Sequence, residues 1–234
     1  VINSGVSKVM IERTANKCYV TIYTSRPGFV IGKKGSDIDK IKNNLSKFTT
    51  NEVTLNIKEV KKPETNAYLV AENIAQQLVK RIFRHHTKGI NYDPTISGAE
   101  WWTLVVDPDD GGVGFHWDKD YNLEHHGVSI FPHMATVTYI SNLPKAAPTI
   151  IMEKTAPPMY ADSIEGKAGE NVYISWPKQG RHITFDGRFL HAACTELIPS
   201  LSSTSSNNNK KGLLLHDTKR ISLLVNVWLN HVPK

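Results

Sequence analysis

Histidine and tryptophan are missing from the first 83 residues: all ten histidines and all five tryptophans lie beyond Phe83. Acidic charge is scarce in the same stretch, where 14 Lys and Arg face 7 Asp and Glu, against 14 and 15 in the remainder. The basic excess of the chain therefore sits in its first third, and contact with a polyanion is to be sought there. Cysteine is limited to Cys18 and Cys194, one on each side of that divide. That excludes a disulfide framework and predicts free thiols in the cytoplasm or another reducing compartment. No apolar run approaches the roughly 18 to 20 residues of a helical membrane span, and no basic-then-apolar leader opens the chain. These shortages divide the 234 residues into two expected domains, 1–83 and 101–234, with a junction over 84–100.

In the N-terminal segment, Lys8 to Arg13 and Lys17 to Thr24 are rich in Val, Ile, Tyr and Thr with partial alternation. Around a turn at Ala15-Asn16-Lys17 they predict a hairpin. Ile38, Ile41 and Leu45 then recur at helical spacing with Ser36 as the expected cap, and a third strand is predicted at Val53 to Val60. After Pro63 a long helix is expected to bury Ala67, Val70, Ala71, Ile74, Ala75, Leu78 and Ile82 on one stripe.

Between hairpin and helix stands Gly32-Lys33-Lys34-Gly35. Glycines allow close approach, a helix N-terminus offers free amides and lysines neutralise charge, so this loop suits a sugar-phosphate backbone. Taken with Val9 to Lys17, Ser25 to Gly35, Lys58 to Glu64 and Leu69 to Leu78, it resembles the KH domain of the bacterial small-subunit ribosomal protein three family, nearly continuously from Gly5 to Ile82. The resemblance implies an α+β KH domain of type II that binds RNA, ribosomal or messenger, through Gly32, Lys33, Lys34 and Gly35. The family's second domain does not follow in this chain, so a KH module in another context is expected.

The C-terminal segment shows short strand signals at Trp101 to Val106, Gly114 to Asp118, Ala135 to Ser141, Thr149 to Glu153, Asn171 to Trp176, His182 to Phe185 and Ile221 to Leu229. They predict an all-β sandwich or barrel, with Pro199 to Gly212 as a polar loop. On a strand His116 and Asp118 would share a face, with Trp117 turned away. With His191 they make two imidazoles and one carboxylate, the ligand set of non-haem Fe(II) oxygenases. In the last strand Arg220 and Ser222 share a face, and a buried arginine requires an anion.

The order His116-Trp117-Asp118, Tyr139 to Asn142 with Ala147-Pro148-Thr149, Asp186 to His191, and Arg220 to Trp228 resembles the Fe(II)- and 2-oxoglutarate-dependent dioxygenases, nearest to their prolyl-hydroxylase-like branch. That resemblance implies a double-stranded β-helix, or jelly roll, with Fe(II) on His116, Asp118 and His191. It also implies dioxygen as oxidant and 2-oxoglutarate held by Arg220 and Ser222. Tyr139 is read either as a co-substrate contact or as core, while Trp117 and Trp228 are read as core aromatics. Zinc would accept the same triad but would leave Arg220 without a role.

The leading expectation is a dioxygenase carrying an RNA-binding KH module, acting on RNA or on a ribosome-associated protein. One alternative is a ribosomal-type RNA-binding protein with an inert C-terminal domain. The other is a join of two unrelated coding segments, each retaining its own activity.

Overall fold

Alternating apolar residues bury a single face of the N-terminal sheet. β1 (Val6–Arg13) and β2 (Lys17–Thr24) pair antiparallel, and β3 (Glu52–Glu59) joins β2 in parallel. A parallel neighbour requires a crossover. It is supplied by α1 (Pro27–Ile31), a 3-10 turn at Lys33–Gly35 and α2 (Ser36–Ser46). Cys18, Val20, Ile22, Val30 and Val53 form the buried cluster, against which Ile41 and Leu45 of α2 pack. β1 is the sheet edge, and its Val9 and Ile11 remain 51% and 55% exposed.

The structure, a computed structural model, describes residues 4–107, 111–124, 126–143, 146–156, 171–197 and 219–233. The chain divides into two compact units, Val1–Leu78 and Val79–Lys234. The helix α3 (Ala67–His86) contributes to both. Its buried residues are Leu69, Val79 and Ile82, whereas Ile74 is 62% exposed. Of the stripe expected from periodicity Ile82 is buried, Ala75 and Leu78 are half-buried, and Val70 and Ile74 are exposed, so the stripe is buried only toward the C-terminal end of the helix.

The second unit contains two four-stranded antiparallel sheets. One has the order β4 (Gly98–Val106), β11 (Arg220–Trp228), β6 (Met134–Tyr139), β9 (His182–Asp186). The other has the order β5 (Gly112–His116), β10 (Leu190–Cys194), β7 (Thr149–Met152), β8 (Val172–Ser175). Between β5 and β6 runs one short helix, α4 (Tyr121–Glu124). Val106 of β4, Ala147 and Ala193 of β10 form a buried cluster joined by Leu104 and Val113, so the two sheets share apolar packing.

β11 is central, paired to β4 along its whole length and to β6 over most of it, with Val225 and Val227 fully buried. β10 has no counterpart among the strands expected from sequence. Its residues Leu190-His191-Ala192-Ala193-Cys194 carry no period-2 alternation. They form a strand because β5 and β7 flank them on both sides. The polar stretch Pro199 to Gly212 lies outside the described residues.

Candidate functional site

His116 ends β5, and His191 of β10 stands directly opposite it in the antiparallel register. Opposed residues of such a pair place their side chains on one face, a few ångströms apart. The ring centroids are 4.4 Å apart. The ladder shifts register just past His191, an irregularity of the kind that re-aims a side chain.

Asp118 lies two residues beyond the end of β5, not on it. The expected strand alternation is therefore not what brings it to the histidines. Asn226 of β11 holds it instead, donating from Nδ2 to Oδ2 at 3.0 Å. Asp118 Oδ1 is 3.6 Å from His116 Nε2, and Oδ2 is 3.5 Å from His191 Nε2. One ligand atom from each of the three residues lies within 4.8 Å of the others.

Each imidazole is oriented by its own chain. His116 Nδ1 lies 2.9 Å from the Gly114 carbonyl, and His191 Nδ1 lies 3.0 Å from the Phe189 carbonyl. A carbonyl only accepts, so Nδ1 carries a proton in both rings, and both Nε2 atoms face Asp118. Burial alone would raise the Asp118 carboxyl. The hydrogen bond and charge of His191, with Asn226 and His116, outweigh burial and hold it below the usual carboxylate range. An ionised carboxylate faced by two imidazole Nε2 atoms is a donor set that a metal ion can take up, with any proton on Nε2 released on binding.

Arg220 is 1% exposed. Its Nε donates to Ser222 Oγ at 3.1 Å, Nη1 to the Ala147 carbonyl at 2.7 Å and Nη2 to Thr149 Oγ1 at 2.8 Å. Its guanidinium carbon lies 5.0 Å from the Tyr139 ring centroid. Desolvation lowers its pKa, opposed by the Tyr139 oxygen. No carboxylate pairs with it among the described residues. A guanidinium has five N–H bonds, and these contacts take up three of them.

Tyr139 is itself 1% exposed, with its hydroxyl 2.9 Å from the Ser175 carbonyl and 2.8 Å from Thr149 Oγ1. The phenol proton goes to the carbonyl, which can only accept, so Thr149 donates to Tyr139 and accepts from Arg220. Tyr139 thus packs in the core and positions the arginine. Trp228 is 2% exposed, and Trp117 donates from Nε1 to the Lys154 carbonyl at 3.0 Å. His126 and His133 are exposed; His125 lies outside the described residues.

Asn226, Thr149 and Ala147 were not expected at the site. Asn226 had a signal: it shares the alternation of Arg220 and Ser222 and is a polar residue in an otherwise apolar strand. The other two act through tertiary contact alone.

In the first unit, Lys33 and Lys34 are both exposed at the tip between α1 and α2. Gly32 and Gly35 have φ of 72° and 82°, and Lys34 itself takes φ of 54°. A Cβ at Gly32 would collide with the Asp37 side chain, so the loop requires glycine there for space as well as for backbone angle. Gly35, not Ser36, occupies the cap position of α2, and no side chain caps it. The first-turn amides are therefore not taken up by a side-chain cap.

Residues 2–65 match the family model of the KH domain. The first unit is a KH-like α+β domain. Small ribosomal subunit protein uS3 of Pelagibacter ubique (strain HTCC1062) is 95% identical over 82 residues, 35% of this chain and 36% of that protein. The uS3 of Caulobacter sp. (strain K31) is 60% identical over 86 residues, 36% of this chain and 34% of its own. That of Magnetococcus marinus is 53% identical over 99 residues, 42% and 47% respectively. The chain spans about a third to a half of the length of these relatives.

Proposed function

We propose that the KH-like unit binds RNA of the ribosomal type, with the Gly32-Lys33-Lys34-Gly35 loop on the sugar-phosphate backbone. The identity to uS3 proteins carries this reading. The exposed lysine pair and the α2 N-terminus, which no side chain caps, support it. Lys33→Asp with Lys34→Asp is expected to weaken binding of ribosomal RNA fragments at least tenfold in a filter-binding assay. Unchanged affinity would place the RNA contact elsewhere.

A second activity is proposed for the other unit, and one observation favours it: a two-histidine, one-carboxylate cluster in the same unit as a buried arginine that has no carboxylate partner among the described residues. His116, Asp118 and His191 would hold Fe(II), and Arg220 with Ser222 would bind the distal carboxylate of 2-oxoglutarate. The two four-stranded antiparallel sheets are compatible with a double-stranded β-helix. Bound there, Fe(II), 2-oxoglutarate and dioxygen would supply hydroxylation of a C–H bond with decarboxylation of the keto acid. The chain's own contribution is to fix the imidazole tautomers through Gly114 and Phe189, orient Asp118 through Asn226, and present a preformed cation at Arg220.

Zinc would fit the triad but would give the buried arginine no work. Anaerobic addition of Fe(II) and 2-oxoglutarate is expected to produce a visible metal-to-ligand charge-transfer band. The band should be lost in His116→Ala and should need at least tenfold more 2-oxoglutarate in Arg220→Ala. No band in folded protein would leave the ribosomal-type RNA-binding reading alone, with an inert second unit.

A further inference from the structure

Two histidines that the triad does not use meet elsewhere in the second unit. His86 lies at the end of α3, and His182 opens β9, the edge strand of its sheet. Their Nε2 atoms are 2.9 Å apart, and the rings stack with centroids 5.3 Å apart and 29° between planes. His182 Nδ1 is 2.8 Å from Thr138 Oγ1 of β6. The His85 ring sits edge-on to His86 at 4.9 Å.

We propose that His86 and His182 form a second metal site, for a divalent transition ion of imidazole preference such as Zn(II) or Ni(II), with Thr138 as the residue that orients His182. Two nitrogens each about 2.0–2.1 Å from one ion, in neighbouring coordination positions, stand about 2.9 Å apart in an octahedral shell and about 3.3 Å apart in a tetrahedral one. The observed 2.9 Å matches the first and needs only a few tenths of an ångström of movement for the second. With Nδ1 donating to Thr138, His182 presents a lone pair at Nε2; the pair as it stands shares one proton there, and an ion would replace it. Partial desolvation and the neighbouring imidazoles lower both pKa values, which favours the neutral, ligating form. His182 is exposed, so water can complete the coordination shell. The site shares no residue with His116, Asp118 and His191 and does not depend on the reading given to them.

The test is zinc titration, by calorimetry, of the tag-free full chain carrying His116→Ala and Asp118→Ala, which silences the triad. One ion per chain is expected, and binding should vanish when His182→Ala or His86→Ala is added. Thr138→Val keeps both imidazoles and should weaken binding about 10- to 100-fold. If a histidine variant does not fold, imidazole nitrogen NMR of the parent decides: zinc should shift Nε2 of His86 and His182 together. Equal zinc affinity with and without His182, or shifts confined to other histidines, would overturn the proposal.

Discussion

At the scale of single residues, the second unit spends its buried polar groups on orientation. Asn226 is 3% exposed in a strand otherwise dominated by Val and Leu, where an unpaired amide would cost about 1–3 kcal/mol. Its side chain donates to Asp118, 108 positions earlier in the chain. Outer contacts of this kind tune metal ligands, so Asn226→Ala is expected to lower Fe(II) or Co(II) affinity about 10- to 100-fold. Titration of the variant beside Asp118→Ala checks it. A loss equal to that of removing the ligand itself would show that Asn226 does more than orient. Arg220 is fixed in the same manner by Ser222, Thr149 and the Ala147 carbonyl, all neutral acceptors, so none of the three neutralises its charge.

At the scale of elements, β11 and β10 carry the arrangement. β11 supplies Arg220, Ser222 and Asn226 from one alternation while its other residues close the core between β4 and β6. β10 carries His191 to its place opposite His116. The contact of α3 with β9 gives a pH dependence. The pKa values of His86 and His182 are both lowered from 6.5, chiefly by desolvation, with the neighbouring imidazoles adding to it. The folded chain therefore binds fewer protons there than the unfolded chain, and stability rises with pH. The contribution is complete above pH 6.5 and is lost as pH falls below it through the lowered folded values. Beyond His85 and Thr138, no charged partner faces the pair among the described residues. In EDTA, the melting temperature of the wild type should drop more between pH 7 and about pH 5 than that of His182→Gln. Parallel curves would remove the pair as the cause.

At the scale of the whole molecule, two units with separate cores are joined through a helix that belongs to both. Each unit buries its own apolar cluster, so unfolding is expected in two calorimetric transitions. Fe(II) with 2-oxoglutarate should raise only one of them, and a ribosomal RNA fragment only the other. A single transition moved by both ligands would show the units to be thermodynamically coupled. Salt should weaken the RNA effect and leave the metal effect largely intact, because the basic excess lies in the first 83 residues.

Much of this was legible in the chain itself. Period-2 and helical patterns located β1, β2, α2, β3 and the strands flanking the site, because those patterns are local consequences of one buried face. The Gly32-Lys33-Lys34-Gly35 loop could be read because its glycines answer to backbone angles and space within a few residues. The residue types His116, Asp118 and His191 marked the candidates for a cluster, and the structure does bring these three together. Tertiary structure alone decided how they meet. β10 is a strand only because β5 and β7 pair with it, Asp118 is steered by an asparagine 108 positions away, and His86 meets His182 across 96. Such contacts depend on strand register and chain closure, which no local spacing encodes.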